Sequence, residues 1–151
     1  SYVRDKDAVN AAFIIAEMFA YYKTREISLI QKLEEIYSTY GYCLNTLHSY
    51  EFPGSAGMQK MAEIMANFHK GLVTVGGERV TRTEDYSVGI NGLPKSDVLK
   101  YYFDGKATGS VVIRPSGTEP KLKVYISVTA EDKTSAEAIE KRITADLEKR
   151  L

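Results

Sequence analysis

Strict alternation of apolar and polar residues organises the second half of the chain, and this period of two constrains the fold more than any other feature. The alternation begins near residue 79 and continues, with short interruptions, to about residue 128. It predicts four strands, namely "RVTRTEDY", "VLKYYF", "GSVVIR" and "KLKVYISV". The interruptions "DGKATG" and "RPSGTEPK" are typical of hairpin connections, so consecutive strands are expected to pair antiparallel.

Apolar residues at helical spacing flank these strands on both sides. Residues 58–71 predict a helix with an apolar stripe that we interpret as core, formed by Met58, Met61, Ile64, Met65 and Phe68. A last helix is predicted from Thr134, with Glu137 completing a capping box and apolar residues at four-residue intervals. Residues 58–151 therefore predict an α+β fold, a four-stranded antiparallel sheet with two helices on one face.

The first third of the chain has a different pattern. Residues 9–20 predict a largely buried helix, capped by Asp5 or Asp7, and a second helix is expected from Ser28, with Gln31 in the capping box, to Gly41. The aromatic segment "YCLNTLHSYEF" suits an extended strand before the turn cluster "PGSAG". We therefore predict a helical hairpin plus strand at residues 1–52, a linker at 53–57 and a separate domain at 58–151.

The charge balance limits the classes of partner. Lys plus Arg and Asp plus Glu both number 20, so the formal net charge is zero and neither nucleic acid nor an anionic membrane is expected as a partner. No signal-peptide pattern opens the sequence, and a cytoplasmic location is expected. One cysteine cannot form an internal disulfide, and the two histidines are far apart, so no metal site is predicted in this chain.

The connection "RPSGTEPK", residues 114–121, carries more chemistry than a chain reversal needs. Arg114 offers a planar fork of donors, Ser116 and Thr118 offer hydroxyls, and Gly117 leaves room for an anion beside the backbone. Lys121 and Lys123 alternate on the outgoing strand and so share a face. Glu119 would repel an anion unless it turns away, pairs with a lysine or meets a sugar hydroxyl. A plain hairpin with an exposed arginine is an equally good interpretation of these residues.

Two motifs carry a resemblance to a known family. "RPSGTEPK", with the strand "LKVYISV" and a terminal helix after it, resembles the phosphate-binding loop in the last domain of the α-D-phosphohexomutases, the phosphoglucomutase and phosphomannomutase family. The opening "YVRDKDAVNAA" is similar to the segment after the sugar-binding loop in the third domain of that family. The resemblance implies the end of an α/β domain three followed by a domain four with a fold like that of the TATA-binding protein.

The resemblance also implies an activity and site residues. It implies an enzyme that interconverts hexose 1-phosphate and 6-phosphate through a phosphoserine and a hexose 1,6-bisphosphate, with Mg²⁺ as cofactor. Contacts to the substrate phosphate are implied for Arg114, Ser116, Gly117, Thr118 and Lys123. Lys6, Glu119 and Lys121 are implied near the cleft, although Lys6 fits a surface lysine before a helix almost as well.

Three motifs of the family are missing from this sequence. Its phosphoserine loop, metal loop and sugar loop, which resemble T-A-S-H-N-P, D-G-D-x-D-R and G-E-x-S, do not occur here. We therefore expect a C-terminal fragment that is inactive alone, depends on missing N-terminal domains, and is prone to self-association through uncovered helices. A phosphoglucosamine mutase fragment, which shares "RPSGTEPK", and a free-standing module that binds a phosphorylated ligand are the alternatives.

Overall fold

The computed structural model describes residues 3, 6–54, 56–117 and 119–151. The chain divides into two compact units, Ser1–Tyr40 and Gly41–Leu151. None of the helices among the described residues is long and apolar enough to cross a membrane.

The first unit contains two helices with the predicted caps. Helix α1 spans Ala8–Lys23, and the Asp7 carboxylate accepts a hydrogen bond from the Asn10 amide at 2.8 Å. The other predicted cap, Asp5, lies outside the described residues. Helix α2 spans Leu29–Tyr40, and its capping box is complete because Ser28 and Gln31 each bind the other's backbone amide.

The prediction that the first helix is buried was wrong for this chain. None of the described residues in the first unit is buried, and Val9 and Phe13 are 82% and 68% exposed. The helical spacing placed these side chains on shared faces correctly. The spacing of apolar residues does not show whether another element covers those faces, and the described residues of the first unit leave them exposed.

The second unit is built on one six-stranded antiparallel sheet. Its strands, in chain order, are β1 Tyr42–Glu51, β2 Thr74–Val75, β3 Glu78–Asp85, β4 Leu99–Asp104, β5 Thr108–Pro115 and β6 Lys121–Ala130. They lie side by side in the order β1-β6-β5-β4-β3-β2. Helix α3, Gly57–His69, connects β1 to β2, and helix α4, Lys133–Glu148, follows β6.

The α+β class and the four predicted strands are confirmed, but the predicted number of strands was wrong. The sheet gains β2, a two-residue strand too short to give a periodic signal, and β1, which we had placed before the linker. Strand β1 pairs with β6 along its whole length, from Tyr42 opposite Ala130 to Glu51 opposite Lys121. The geometric division of the chain therefore falls between Tyr40 and Gly41, whereas our division at residues 53–57, which concerns the parent protein, stays a prediction.

Both helices of the second unit cover the same face of the sheet, as predicted. Alternate residues of β4, β5 and β6 are buried and form one core with α3 and α4. The α3 stripe joins this core except for Met58, which is 49% exposed. Helix α4 is capped by Asp132, whose carboxylate accepts from the Ser135 amide at 2.8 Å. The predicted cap, Thr134, instead lies within the first turn of the helix.

Candidate anion-binding site

The loop singled out by the sequence joins β5 to β6 at one end of the sheet. It closes through the Ser116 amide, which donates to the Lys121 carbonyl at 2.8 Å. The Phe52 amide donates to the Pro120 carbonyl at 2.8 Å, so the segment after β1 is bound to the loop. Phe52 is itself buried in the core. The loop is therefore held by the sheet on one side and by the β1–α3 connection on the other.

A cleft of about 460 Å³ opens beside this loop. One wall is apolar and comes from helix α3, a second wall comes from the segment before β4, and the third is the loop itself. The lining residues are Met58, Met61, Ala62, Met65, Ser96, Asp97, Arg114, Pro115, Ser116 and Gly117. The structure thus brings three of the predicted site residues, Arg114, Ser116 and Gly117, to one cavity.

Arg114 and Lys123 lie directly opposite each other on β5 and β6. Cross-strand partners project from the same face of a sheet, so two positive charges are neighbours here. Neither side chain forms an ion pair with any residue that the structure describes. Like charges in this arrangement repel each other, and an anion held between them would relieve that repulsion.

Lys121 has a different environment from Lys123. Its ammonium group lies 3.0 Å from a Glu51 carboxylate oxygen and 3.6 Å from a Glu119 oxygen. The hydrogen bond to Glu51 raises the pKa of Lys121, and the Glu119 charge adds to the effect. This ion pair accounts for Glu119, the residue that an anion site would not otherwise accommodate. The two carboxylates also balance the positive charge of Lys121, whereas no described carboxylate balances that of Lys123.

Gly117 leaves open space where other residues carry a side chain. A Cβ atom built on Gly117 would have no heavy atom within 4 Å, apart from its chain neighbours. The glycine is therefore not required by packing, and the space beside the backbone is open to a ligand. Thr118, the next predicted contact, lies outside the described residues. Lys6 belongs to the first unit, and its predicted place near the cleft stays a prediction.

The described residues do not fit a magnesium ion. No group of three or more His, Cys, Asp or Glu side chains among them could hold a metal, whereas Mg²⁺ in proteins is bound through carboxylates with near-octahedral geometry.

Comparison with known proteins identifies the family. Residues 52–146 match the family described as "Phosphoglucomutase/phosphomannomutase, C-terminal domain". The chain belongs to this family. Among curated relatives, the phosphoglucomutase of Staphylococcus saprophyticus is 33% identical over 141 residues, which are 85% of this chain and 25% of the relative. The phosphoglucomutase of Staphylococcus aureus strain MSSA476 is 36% identical over 140 residues, 84% of this chain and 25% of the relative.

A solved structure supports the fold. The open form of pp63/parafusin, a phosphoglucomutase from Paramecium, superposes with a TM-score of 0.65 at 20% sequence identity. The match covers 99% of this chain and 28% of that protein. The chain thus spans about a quarter of the length of its curated relatives, and it corresponds to the C-terminal domain of the family with the segment before it.

Sequence reasoning missed the two walls of the cleft outside the loop. Met58 was assigned to the core, and no pattern pointed to Ser96 or Asp97. Their segment follows "GINGLP", a run of turn-forming residues without periodicity.

Proposed function

We propose that this chain is the C-terminal, substrate-phosphate-binding part of a phosphohexomutase of the phosphoglucomutase/phosphomannomutase group. The parent enzyme would interconvert hexose 1-phosphate and hexose 6-phosphate through a phosphoserine and a hexose 1,6-bisphosphate. The observation that carries the proposal is Arg114, which lines a cleft together with Ser116 and Gly117 and has Lys123 as its cross-strand partner. Neither cation forms an ion pair with the residues that the structure describes.

The proposed binding mode uses groups of different kind. Arg114 binds two phosphate oxygens through its guanidinium fork, and Lys123 supplies a second positive charge from the neighbouring strand. The Ser116 hydroxyl donates a hydrogen bond, while Gly117 allows the phosphate to approach the backbone. Thr118 is proposed as a further hydroxyl donor from the sequence resemblance alone. Charge-assisted hydrogen bonds contribute roughly 1.5–3 kcal/mol each, which corresponds to millimolar or submillimolar affinity for two or three of them.

In the parent reaction this cleft would hold the phosphate that is not being transferred. Phosphoryl transfer depends mainly on positioning and on stabilisation of charge. Binding one end of the sugar through its phosphate fixes the distance of the other end from the reacting groups, so the binding energy is used for alignment. Because the two phosphates exchange places, the cleft must accept a phosphate on either carbon. A small loop site that contacts only the phosphate meets this requirement.

The chemistry itself is assigned to other parts of the parent enzyme. The described residues offer no magnesium site, and the sequence contains no phosphoserine motif of the family. We therefore expect the nucleophile and the metal in the three quarters of the relatives' length that this chain does not cover. On this proposal the chain alone has no mutase activity, the parent acts in carbohydrate metabolism in the cytoplasm, and Lys6 lies near the complete cleft.

Self-association of the chain is proposed from the exposed apolar residues of α1 and α2. Sedimentation across a concentration series tests it, because a mass that stays monomeric at every concentration would contradict it.

The binding proposal is tested by titrating the isotopically labelled chain with glucose 1-phosphate and, separately, with inorganic phosphate, while amide NMR shifts are recorded. Saturable shifts centred on residues 116–118 are expected, and they should disappear in Arg114→Ala. Gly117→Ala is a second test, because its Cβ meets open space and leaves the fold intact but occupies the proposed path of the phosphate. Absence of saturation in the unmodified chain at about 50 mM ligand, well above the millimolar dissociation constant expected for this site, would overturn the proposal.

A further inference from the structure

A histidine held between two aspartates lies behind one wall of the cleft. His69, in the last turn of α3, places its Nδ1 2.9 Å from an Asp85 oxygen and its Nε2 2.9 Å from an Asp97 oxygen. A neutral imidazole has one N–H, whereas the protonated ring donates from both nitrogens. Two carboxylate acceptors therefore favour the imidazolium, and the C-terminal end of a helix favours it further.

The charges of the two aspartates that contact His69 act in the same direction. The hydrogen bond to Asp97 raises the pKa of His69; burial opposes this in part, and Asp85 adds to the rise. Three cations among the described residues lie close by, at the end of α3 and after α4. Lys70 donates a hydrogen bond to Asn67, Arg150 pairs with Asp146, and Lys149 lies next to Arg150. Lys95 lies on the segment between Asp85 and Asp97, near Gly89. No additional carboxylate among the described residues is within hydrogen-bonding distance of the ring.

Asp97 links this histidine to the anion site. It lines the same cleft as Arg114, Ser116 and Gly117, and its side chain is half exposed. A carboxylate on the wall of an anion site weakens anion binding. An imidazolium bound to that carboxylate offsets part of its charge, because the histidine and the two aspartates then sum to about −1, whereas with a neutral imidazole they sum to about −2.

We infer that His69 is a positioning residue that sets the anion affinity of the cleft through Asp97. Protonated His69 holds Asp97 and offsets part of its charge, so a phosphate-bearing ligand binds more tightly. When His69 loses its proton, the negative charge on the cleft that Asp97 shares with Arg114 increases, and affinity falls. The inference rests on the proposed function of the cleft and adds to it a dependence on pH.

The test requires an anion whose own charge is constant. Phosphate monoesters lose their second proton near about pH 6, so sulfate, which stays a dianion across this range, is the probe. Its affinity for the whole chain is measured by NMR between about pH 5.5 and 8.5, a range that brackets the ordinary histidine pKa of about 6.5. The ring signals of His69 are followed in the same samples.

Four variants separate the contributions. Affinity in the unmodified chain should fall roughly threefold to tenfold as His69 deprotonates, the size expected for one partly screened charge. His69→Gln should bind at every pH as weakly as the unmodified chain does at high pH. Asp97→Asn should bind more tightly than the unmodified chain at high pH. Asp85→Asn should move the midpoint of the profile to lower pH, because it removes a carboxylate that holds the proton. His48→Gln removes the other histidine and should leave the profile unchanged.

The outcomes distinguish this inference from the proposed function. If the unmodified chain binds neither phosphate nor sulfate at any pH, the proposed function fails and the inference fails with it. If sulfate binds but His69→Gln keeps the pH dependence of the unmodified chain, or Asp97→Asn gains no affinity at high pH, the inference is overturned while the proposed function stands.

Discussion

The two compact units use their apolar side chains in opposite ways. In the second unit, Ile143 of α4 is fully buried against the sheet, whereas in the first unit Ile30 of α2 is 70% exposed. Both helices have side-chain caps, from Asp132 and from Ser28. Helix α4 is therefore stabilised by its cap and by a core, whereas α2 has a cap but no buried residue among those that the structure describes.

This difference separates local from cooperative stability. An isolated helix of 12 residues is marginal in water, and the described contacts within the first unit are local or are made by surface side chains, such as Lys32 over the Tyr22 ring at 5.9 Å. The second unit shares one core among two helices and the strands. We expect the second unit to unfold in one transition and the first unit to lose structure independently of it.

The largest expected effect comes from truncating a buried isoleucine in the second unit, with an exposed isoleucine in the first unit as the control. Ile143→Ala should lower the free energy of unfolding of the sheet unit by about 2–5 kcal/mol, because it leaves a cavity among packed side chains. Ile30→Ala, the matched control in α2, should change it by less than about 0.5 kcal/mol, since an exposed side chain has little to lose. Urea unfolding followed by tyrosine fluorescence measures both. Equal losses would show that the first unit is packed after all.

The second comparison removes one cap from each unit. Asp132→Ala should lower the urea midpoint of the sheet unit, because α4 loses a hydrogen bond at its first turn and the whole core depends on α4. Ser28→Ala should reduce helical circular dichroism in the absence of urea and leave the midpoint unchanged. A lowered midpoint in Ser28→Ala would mean that α2 contributes to the cooperative unit.

A smaller effect concerns pH and is confined to the second unit, which holds both histidines. The folded-state pKa of His69 is raised, chiefly by Asp97, above its ordinary value of about 6.5. Its stabilising contribution is therefore complete below about pH 6.5 and is lost as pH rises through the folded-state pKa. The urea midpoint should decline over that interval, and His69→Gln should flatten the decline. A decline that persists in His69→Gln would assign it to another group.

Most of the fold could be predicted from the sequence, because the period of the apolar residues and the helix caps are local signals. The alternation at residues 109–114 and 121–128 gave β5 and β6, and the Ser28–Gln31 capping box gave the start of α2. Whether a strand or an apolar helix face is covered depends on residues far away in the sequence. This explains why the predicted number of strands and the predicted burial of α1 were wrong. Strand β1 joined the sheet through a partner about 80 residues away, and helix α1 has apolar residues at helical spacing but no buried residue.

The residues of the candidate site fall into the same two groups, those that a local motif predicts and those that only the fold brings together. The loop residues Arg114, Ser116 and Gly117 are consecutive or nearly so, so a motif could predict them. Asp97 and His69 reach the cleft and its wall from separate elements, and only the folded chain brings them together. The ion pair of Lys121 with Glu51 depends on the register of β1 against β6. No spacing along the sequence could therefore distinguish Lys121 from Lys123.

That distinction gives the most direct test of the phosphate site. The dissociation constant for inorganic phosphate is measured by NMR for the unmodified chain, Lys123→Gln and Lys121→Gln at one pH and ionic strength. Lys123→Gln should weaken binding roughly tenfold or more, because it removes a charge-assisted contact. Lys121→Gln should weaken it by less than about threefold, because Glu51 and Glu119 already neutralise that lysine. Equal losses in the two variants, or no loss in Lys123→Gln, would contradict the account.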